Sequence, residues 1–98
     1  MPILDSKIDT RSEQFQQNRS DMMKMLGLLD DLLEEASEGG GTEAITRLRS
    51  RDKMPIRERI SHALDRDSPF LEISPLAAWR SPFAIGSGFV VGVGVIEN

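Results

Sequence analysis

The 98-residue sequence has no cysteine and no tyrosine, and it holds a single tryptophan and a single histidine. Without cysteine, a disulfide scaffold and thiolate metal sites are excluded. With His62 alone, His-cluster zinc chemistry lacks ligands and no Ser-His-Asp set can be argued, so His62 reads as a surface or helix-flank residue. Long hydrophobic runs are also missing. The longest near-apolar stretch, Phe89–Ile96, falls far short of the ~20 residues of a membrane helix. The opening Met1-Pro2-Ile3-Leu4-Asp5 has neither the basic and apolar regions of a secretory signal nor an Arg-rich, acid-poor transit composition. A cytoplasmic protein with no membrane partner is therefore the default expectation. The length suits one domain with a small core, because a chain of this size buries only roughly 60–65% of its unfolded surface.

Charge is present but unevenly spread. Of 12 basic and 16 acidic residues, residues 1–46 hold four and ten, a balance of −6. Residues 47–59 hold six basic (Arg47, Arg49, Arg51, Lys53, Arg57, Arg59) and two acidic residues (Asp52, Glu58), a balance of +4. Such an island attracts an anionic partner. Nucleic acid fits poorly, since no aromatic is interleaved with the basic residues and the isoelectric point is about 4.9. A small phosphate-bearing ligand remains, beside the plainer reading of a solvated helix face with i,i+4 pairing such as Glu43 with Arg47.

Residues 1–11 have no periodicity and read as an extended arm. From Ser12 to Ser37, Met22, Met25, Leu29, Leu32 and Ala36 fall on one helical face, widened by Leu26 and Leu33. This stripe reads as plain packing. Gly39-Gly40-Gly41 ends the helix, because glycine takes the left-handed C-cap conformation freely. Thr42 is the expected N-cap of a second helix over 43–50. Pro55 is expected in the first turn of a third, with Ile56, Ile60, Ala63 and Leu64 as its apolar face. After Pro69 the pattern changes to a short strand, Phe70–Ile73, an irregular stretch 74–87, and a strand over Phe89–Ile96. Gly92 and Gly94 share one face of that strand and predict another backbone close by. Only one earlier strand is available to pair with it, so the sheet looks incomplete and the chain is expected to be marginally stable alone.

Gly86-Ser87-Gly88 with Gly92 is not a dinucleotide fingerprint. The spacing needs glycine at position 91, which is Val91, and these glycines enter a strand where the motif should leave one for a helix. Trp79 beside Arg80 predicts a cation–π pair or an interface anchor.

Taken together, residues 47–73 resemble the carboxyltransferase (beta) subunits of biotin-dependent acyl-CoA carboxylases. The resemblance rests on Arg47-Leu48-Arg49-Ser50-Arg51-Asp52-Lys53-Met54-Pro55-Ile56-Arg57-Glu58-Arg59-Ile60, then Leu64-Asp65, Ser68-Pro69-Phe70-Leu71-Glu72-Ile73 and Val90-Val91-Gly92-Val93-Gly94. Ser74-Pro75-Leu76-Ala77-Ala78 is similar to the methylcrotonyl-CoA branch. Departures are Leu48 for the family histidine, Asp52 for glycine, Met54 for leucine, and Asn98 where glycine is frequent.

The resemblance implies an α/β fold: N-terminal helices plus the first strands of a crotonase-like carboxyltransferase fold, incomplete in this chain. Residues 1–98 would be one N-terminal segment, with an arm over 1–11, helices over 12–64 and strands over 69–98. It implies carboxyl transfer from carboxybiotin, supplied by a partner subunit, to an acyl-CoA substrate, with no cofactor bound covalently here. It also implies a biotin carboxylase/biotin carrier (alpha) partner and a homo-oligomer of beta subunits. The family's oxyanion turns have no counterpart in the chain, so no catalytic residue is assigned and the chain alone is expected to be inactive. Arg47, Arg51 and Lys53 are the expected CoA-phosphate contacts. In the competing account, Arg57 and Arg59 pair with Asp65, Asp67 or Glu58 and the island only holds the fold. A different class altogether is a non-catalytic helical interaction module that docks through the Met/Leu face and the glycine strand.

Overall fold

The computed structural model describes residues 1–97, so Asn98 lies outside the described residues. Three helices precede two strands: α1 (Glu13–Ser37), α2 (Thr42–Ser50), α3 (Ile56–Ala63), β1 (Phe70–Ile73) and β2 (Val91–Gly94). The chain divides into two compact units, Met1–Asp30 and Asp31–Asn98.

In the first unit, residues 1–9 form neither helix nor strand and are exposed. Ser12 then starts α1. Its hydroxyl accepts the Phe15 N–H at 3.1 Å and its carbonyl accepts the Gln16 N–H at 3.1 Å, which satisfies donors that a helix N-terminus leaves open. Gln14 with Asn18 and Gln17 with Asp21 add i,i+4 hydrogen bonds along the helix. Met22, Met25, Leu26 and Leu29 are exposed, with 40–66% of their surface open. This corrects the expectation of ordinary packing along the whole stripe. Only Ala36, in the second unit, is buried.

In the second unit, Gly39, Gly40 and Gly41 all have positive φ (63°, 94° and 94°), and α1 ends there as expected. The N-cap of α2 is Gly41 and not Thr42, because this glycine's φ of 94° turns the chain into the helix one residue early. Pro55 likewise lies just outside α3 as its N-cap, and its carbonyl accepts the Arg59 N–H at 3.0 Å.

The strands pair antiparallel in the register Phe70↔Gly94, Leu71↔Val93, Glu72↔Gly92 and Ile73↔Val91. β2 covers only the middle of the expected strand. Gly92 and Gly94 do mark a close approach, though mainly by side chains. A Cβ on Gly92 would meet the Phe70 ring and the Leu71 carbonyl, and one on Gly94 would meet the Leu64 side chain. Asp65 fastens the far end of β2, donating its N–H to Val95 O at 2.8 Å and accepting the Glu97 N–H on Oδ1 at 2.7 Å.

The interior is very small. Ala36, Pro55 and Ile85 are the only buried residues among those described. The chain exposes 8719 Å², where a self-contained folded protein of its mass exposes about 5,600 Å². What core exists lies where the 85–86 segment meets the end of α1. Gly86 has φ 73°, and a Cβ there would overlap the backbone of Ala36. Gly86→Ala should therefore lower the urea midpoint, at a cost in unfolding free energy above the ~1–3 kcal/mol of a strained left-handed residue alone. Gly88→Ala, with nothing within 4 Å of the new methyl group, should leave it unchanged. Equal midpoints for the two variants would contradict the close approach.

Candidate functional site

The basic island folds into α2, the turn after it and α3, and its members part company there. Arg47 lies on the exposed face of α2 and pairs with Glu43 at 3.3 Å, the expected i,i+4 contact. Arg49 pairs with Glu58 at 2.9 Å, tying α2 to α3. Arg57 makes a two-pronged pair with Glu72, Nη1 to Oε2 at 2.9 Å and Nη2 to Oε1 at 2.7 Å. Its Nη2 also donates to the Ala36 carbonyl at 3.4 Å. The competing sequence account paired Arg57 and Arg59 with Asp65, Asp67 or Glu58. The partner is Glu72 instead, because β1 carries that carboxylate opposite α3 while Glu58 is taken by Arg49. Arg51, Lys53 and Arg59 have no ion-pair partner among the described residues.

Burial separates these pairs in strength. The Arg57 and Glu72 side chains are 28% and 22% exposed, against 61% and 91% for Arg47 and Glu43. An exposed pair contributes about 0–1 kcal/mol, whereas a two-pronged, largely covered pair is stronger and geometrically specific. The hydrogen bonds from Arg57 hold the Glu72 carboxyl below the usual carboxylate range, against the opposing effect of burial. The same bonds raise the Arg57 guanidinium above its ordinary value.

Two clefts open on the second unit. The larger, about 670 Å³, runs between the end of α1, α2, the turn before α3 and residues 87–90. Ile45, Leu48, Met54, Ile56, Phe89 and Val90 give it apolar walls, and Lys53, Arg57 and Arg59 are its charged residues. No acidic residue lines it. With Arg57 engaged by Glu72, the free cations are Lys53 and Arg59. Such a cleft suits a ligand with an apolar stem and an anionic group. The smaller cleft, about 350 Å³, has Glu72 as its charged lining residue, and Arg57 already neutralises that carboxylate.

Of the three residues singled out in the sequence, Lys53 lines the larger cleft, while Arg47 and Arg51 do not. Arg59 was missed as a cleft residue. Its place in the charge island was visible, but the fact that Arg49 occupies Glu58, leaving Arg59 unpaired, depends on how α2 lies against α3. Trp79 and Arg80 do stack, with the guanidinium 4.4 Å from the ring centroid, and neither lines either cleft. Among the described residues no helix is long and apolar enough to cross a membrane.

No family model matches the chain. Known proteins do. The chain is 37% identical over 94 residues to a probable biotin-dependent acyl-coenzyme A carboxylase beta2 subunit of Mycobacterium tuberculosis, covering 96% of this chain and 18% of that protein. It is 40% identical over 99 aligned positions to the mitochondrial methylcrotonoyl-CoA carboxylase beta chain of Arabidopsis thaliana, covering 98% and 17% respectively. Its structure resembles the crystal structure of the P. aeruginosa geranyl-CoA carboxylase beta subunit, with a TM-score of 0.75 and 30% identity over 97% of this chain and 18% of that one. Over nearly its whole length, the chain is similar to acyl-CoA carboxylase beta subunits. It spans less than a fifth of the length of these relatives.

Asp52, one of the departures noted from the pattern the sequence resembles, has a φ of 57°. The turn between α2 and α3 needs a left-handed residue, a conformation that Asp tolerates better than most side chains do. The substitution therefore keeps the turn and adds a negative charge next to Lys53.

The pH dependence follows from Glu72. Its folded-state pKa lies below the unfolded value, so the unfolded chain takes up a proton first as pH falls. The stability Glu72 confers is complete above its unfolded value of about 4.3 and disappears as pH drops through the lowered folded value. At pH 7, Glu72→Gln should cost about 1–3 kcal/mol in urea unfolding, and its gap from the natural chain should narrow steadily as the pH falls below the unfolded value. A gap that does not change with pH would show that the ion pair is not its origin.

Proposed function

We propose that this chain is the N-terminal, CoA-side portion of the carboxyltransferase subunit of a biotin-dependent acyl-CoA carboxylase, built on a crotonase-like fold. The observation that carries the reading is the larger cleft, with its apolar walls, two unpaired cations and no acidic lining. CoA combines an apolar-sided pantetheine stem with several phosphate charges. In this reading Lys53 and Arg59 receive a phosphate. Arg51, on the turn that leads to Lys53, is a further contact, and Arg47 joins only on release from Glu43. Arg57 orients the wall of the cleft through its bond to Glu72 and does not itself need to reach the ligand.

In the parent reaction, carboxybiotin brought by an alpha-type partner subunit supplies the carboxyl group, and beta subunits associate with one another. The residues of this chain bind and orient the acyl-CoA; they supply no proton-transfer or oxyanion group. By itself the chain should give no carboxylated product. Cytoplasmic placement belongs to the same proposal.

A calorimetric titration with CoA tests the reading. Lys53→Ala and Arg59→Ala should each weaken binding by about tenfold, ~1.4 kcal/mol. Asp52→Gly should strengthen it by removing a like-signed neighbour of the phosphate while keeping the turn. Arg66→Ala, at an exposed residue outside the cleft lining, should have little effect. Identical affinities for the natural chain and the Lys53/Arg59 double variant would refute the assignment. A second reading, a non-catalytic helical module, draws on the exposed Met/Leu stripe of α1. It predicts no CoA affinity in any of these chains.

A further inference from the structure

We propose that α1 pairs antiparallel with α1 of a second copy of this chain, along the stripe Met22, Met25, Leu26 and Leu29.

The stripe lies in the first unit, which has no strand and no second helix of its own to cover it. A helix in water draws most of its stability from packing an apolar face, and Gly27, with nothing within 4 Å, weakens this one further. Met22 and Leu29 are seven residues apart with Met25 and Leu26 between them, the spacing of a helix-pairing seam. Met25, at its middle, is the most open of the four, at 66%.

The charges point to the occupant. Arg19 and Asp30 lie about three turns apart, so they share one flank of the stripe, one before it and one after it. Neither has an ion-pair partner among the described residues. The midpoint between them falls at 24–25, and the midpoint of the stripe falls between Met25 and Leu26. A two-fold axis there brings Arg19 of each copy beside Asp30 of the other, and lays Met22 of each over Leu29 of the other. A parallel pair would instead set Asp30 and Asp31 beside their own counterparts, a like-charge contact. A partner of unrelated sequence gives no reason for an apolar stripe and a charge pair to share one centre; a second copy does.

Sedimentation equilibrium of the 98-residue chain tests this. The expected result is a monomer–dimer equilibrium with no higher species. Met25→Lys should abolish the dimer. Arg19→Glu should weaken it about tenfold, because the axis applies the reversed contact twice, and adding Asp30→Arg should restore it. That rescue separates a defined contact from loss of folding and from loose apolar association. The sequence has no cysteine, so introduced ones read the orientation. Under mild oxidation, a mixture of Met22→Cys and Leu29→Cys chains should link to each other in preference to themselves. A chain that stays monomeric into the millimolar range, open-ended association, an Arg19→Glu/Asp30→Arg variant as weak as Arg19→Glu, or preferential self-linking of Met22→Cys would overturn the proposal. So would a dimer that survives Met25→Lys, since the contact would then lie elsewhere. The Lys53/Arg59 double variant should dimerise like the natural chain, so CoA affinity holds or fails independently of the pairing.

Discussion

Arg57 is where separate parts of the second unit meet. Its two terminal nitrogens grip both oxygens of Glu72, and one of them also reaches the Ala36 carbonyl, so a single planar group joins α3, β1 and the end of α1. In a protein with a full core this would be one contribution among many. Here three of the described residues are buried, and apolar packing cannot fix the angles between elements. A directional, charge-assisted contact takes over that task, because its strength depends on geometry more than on buried area. The arrangement still has an open point: Arg57 Nε is buried with no hydrogen-bond partner among the described residues.

The larger cleft follows from the same constraint. Glu72 engages Arg57 and Glu58 engages Arg49, so neither carboxylate is left to pair with Lys53 or Arg59. What remains facing the opening is positive. The cleft's far wall, residues 87–90, is set by Gly86, whose missing side chain lets the chain lie directly on the Ala36 backbone. The electrostatics of the site and its shape thus descend from two local features, one ion pair and one glycine.

Much of this was legible in the sequence. The three helices, the glycine break, the two strands and the Glu43–Arg47 pair lie close to where periodicity, cap preferences and i,i+4 spacing put them. The family resemblance on residues 47–94 was legible too, and the relatives agree with it. What was not legible is tertiary. The stripe on α1 has the same pattern whether or not anything covers it, so Met22 and Leu26 looked like core. Gly92 and Gly94 announced a close neighbour, but sequence could not say that it is the Phe70 ring and the Leu64 side chain. Among six cations within 13 residues, spacing identified Arg47's partner because that contact is within one helix. It could not identify those of Arg49 or Arg57, which lie 9 and 15 residues away.

The large exposed area has a consequence for the life of this polypeptide in a cell. Chaperones and proteases recognise short apolar stretches in accessible backbone, and Met22–Leu29 and Phe89–Ile96 present such stretches without any unfolding step. For a polypeptide that exposes such stretches, abundance is set by a race between capture by quality control and burial against another surface. A single residue that slows that burial would reduce the amount of protein long before it altered any chemistry.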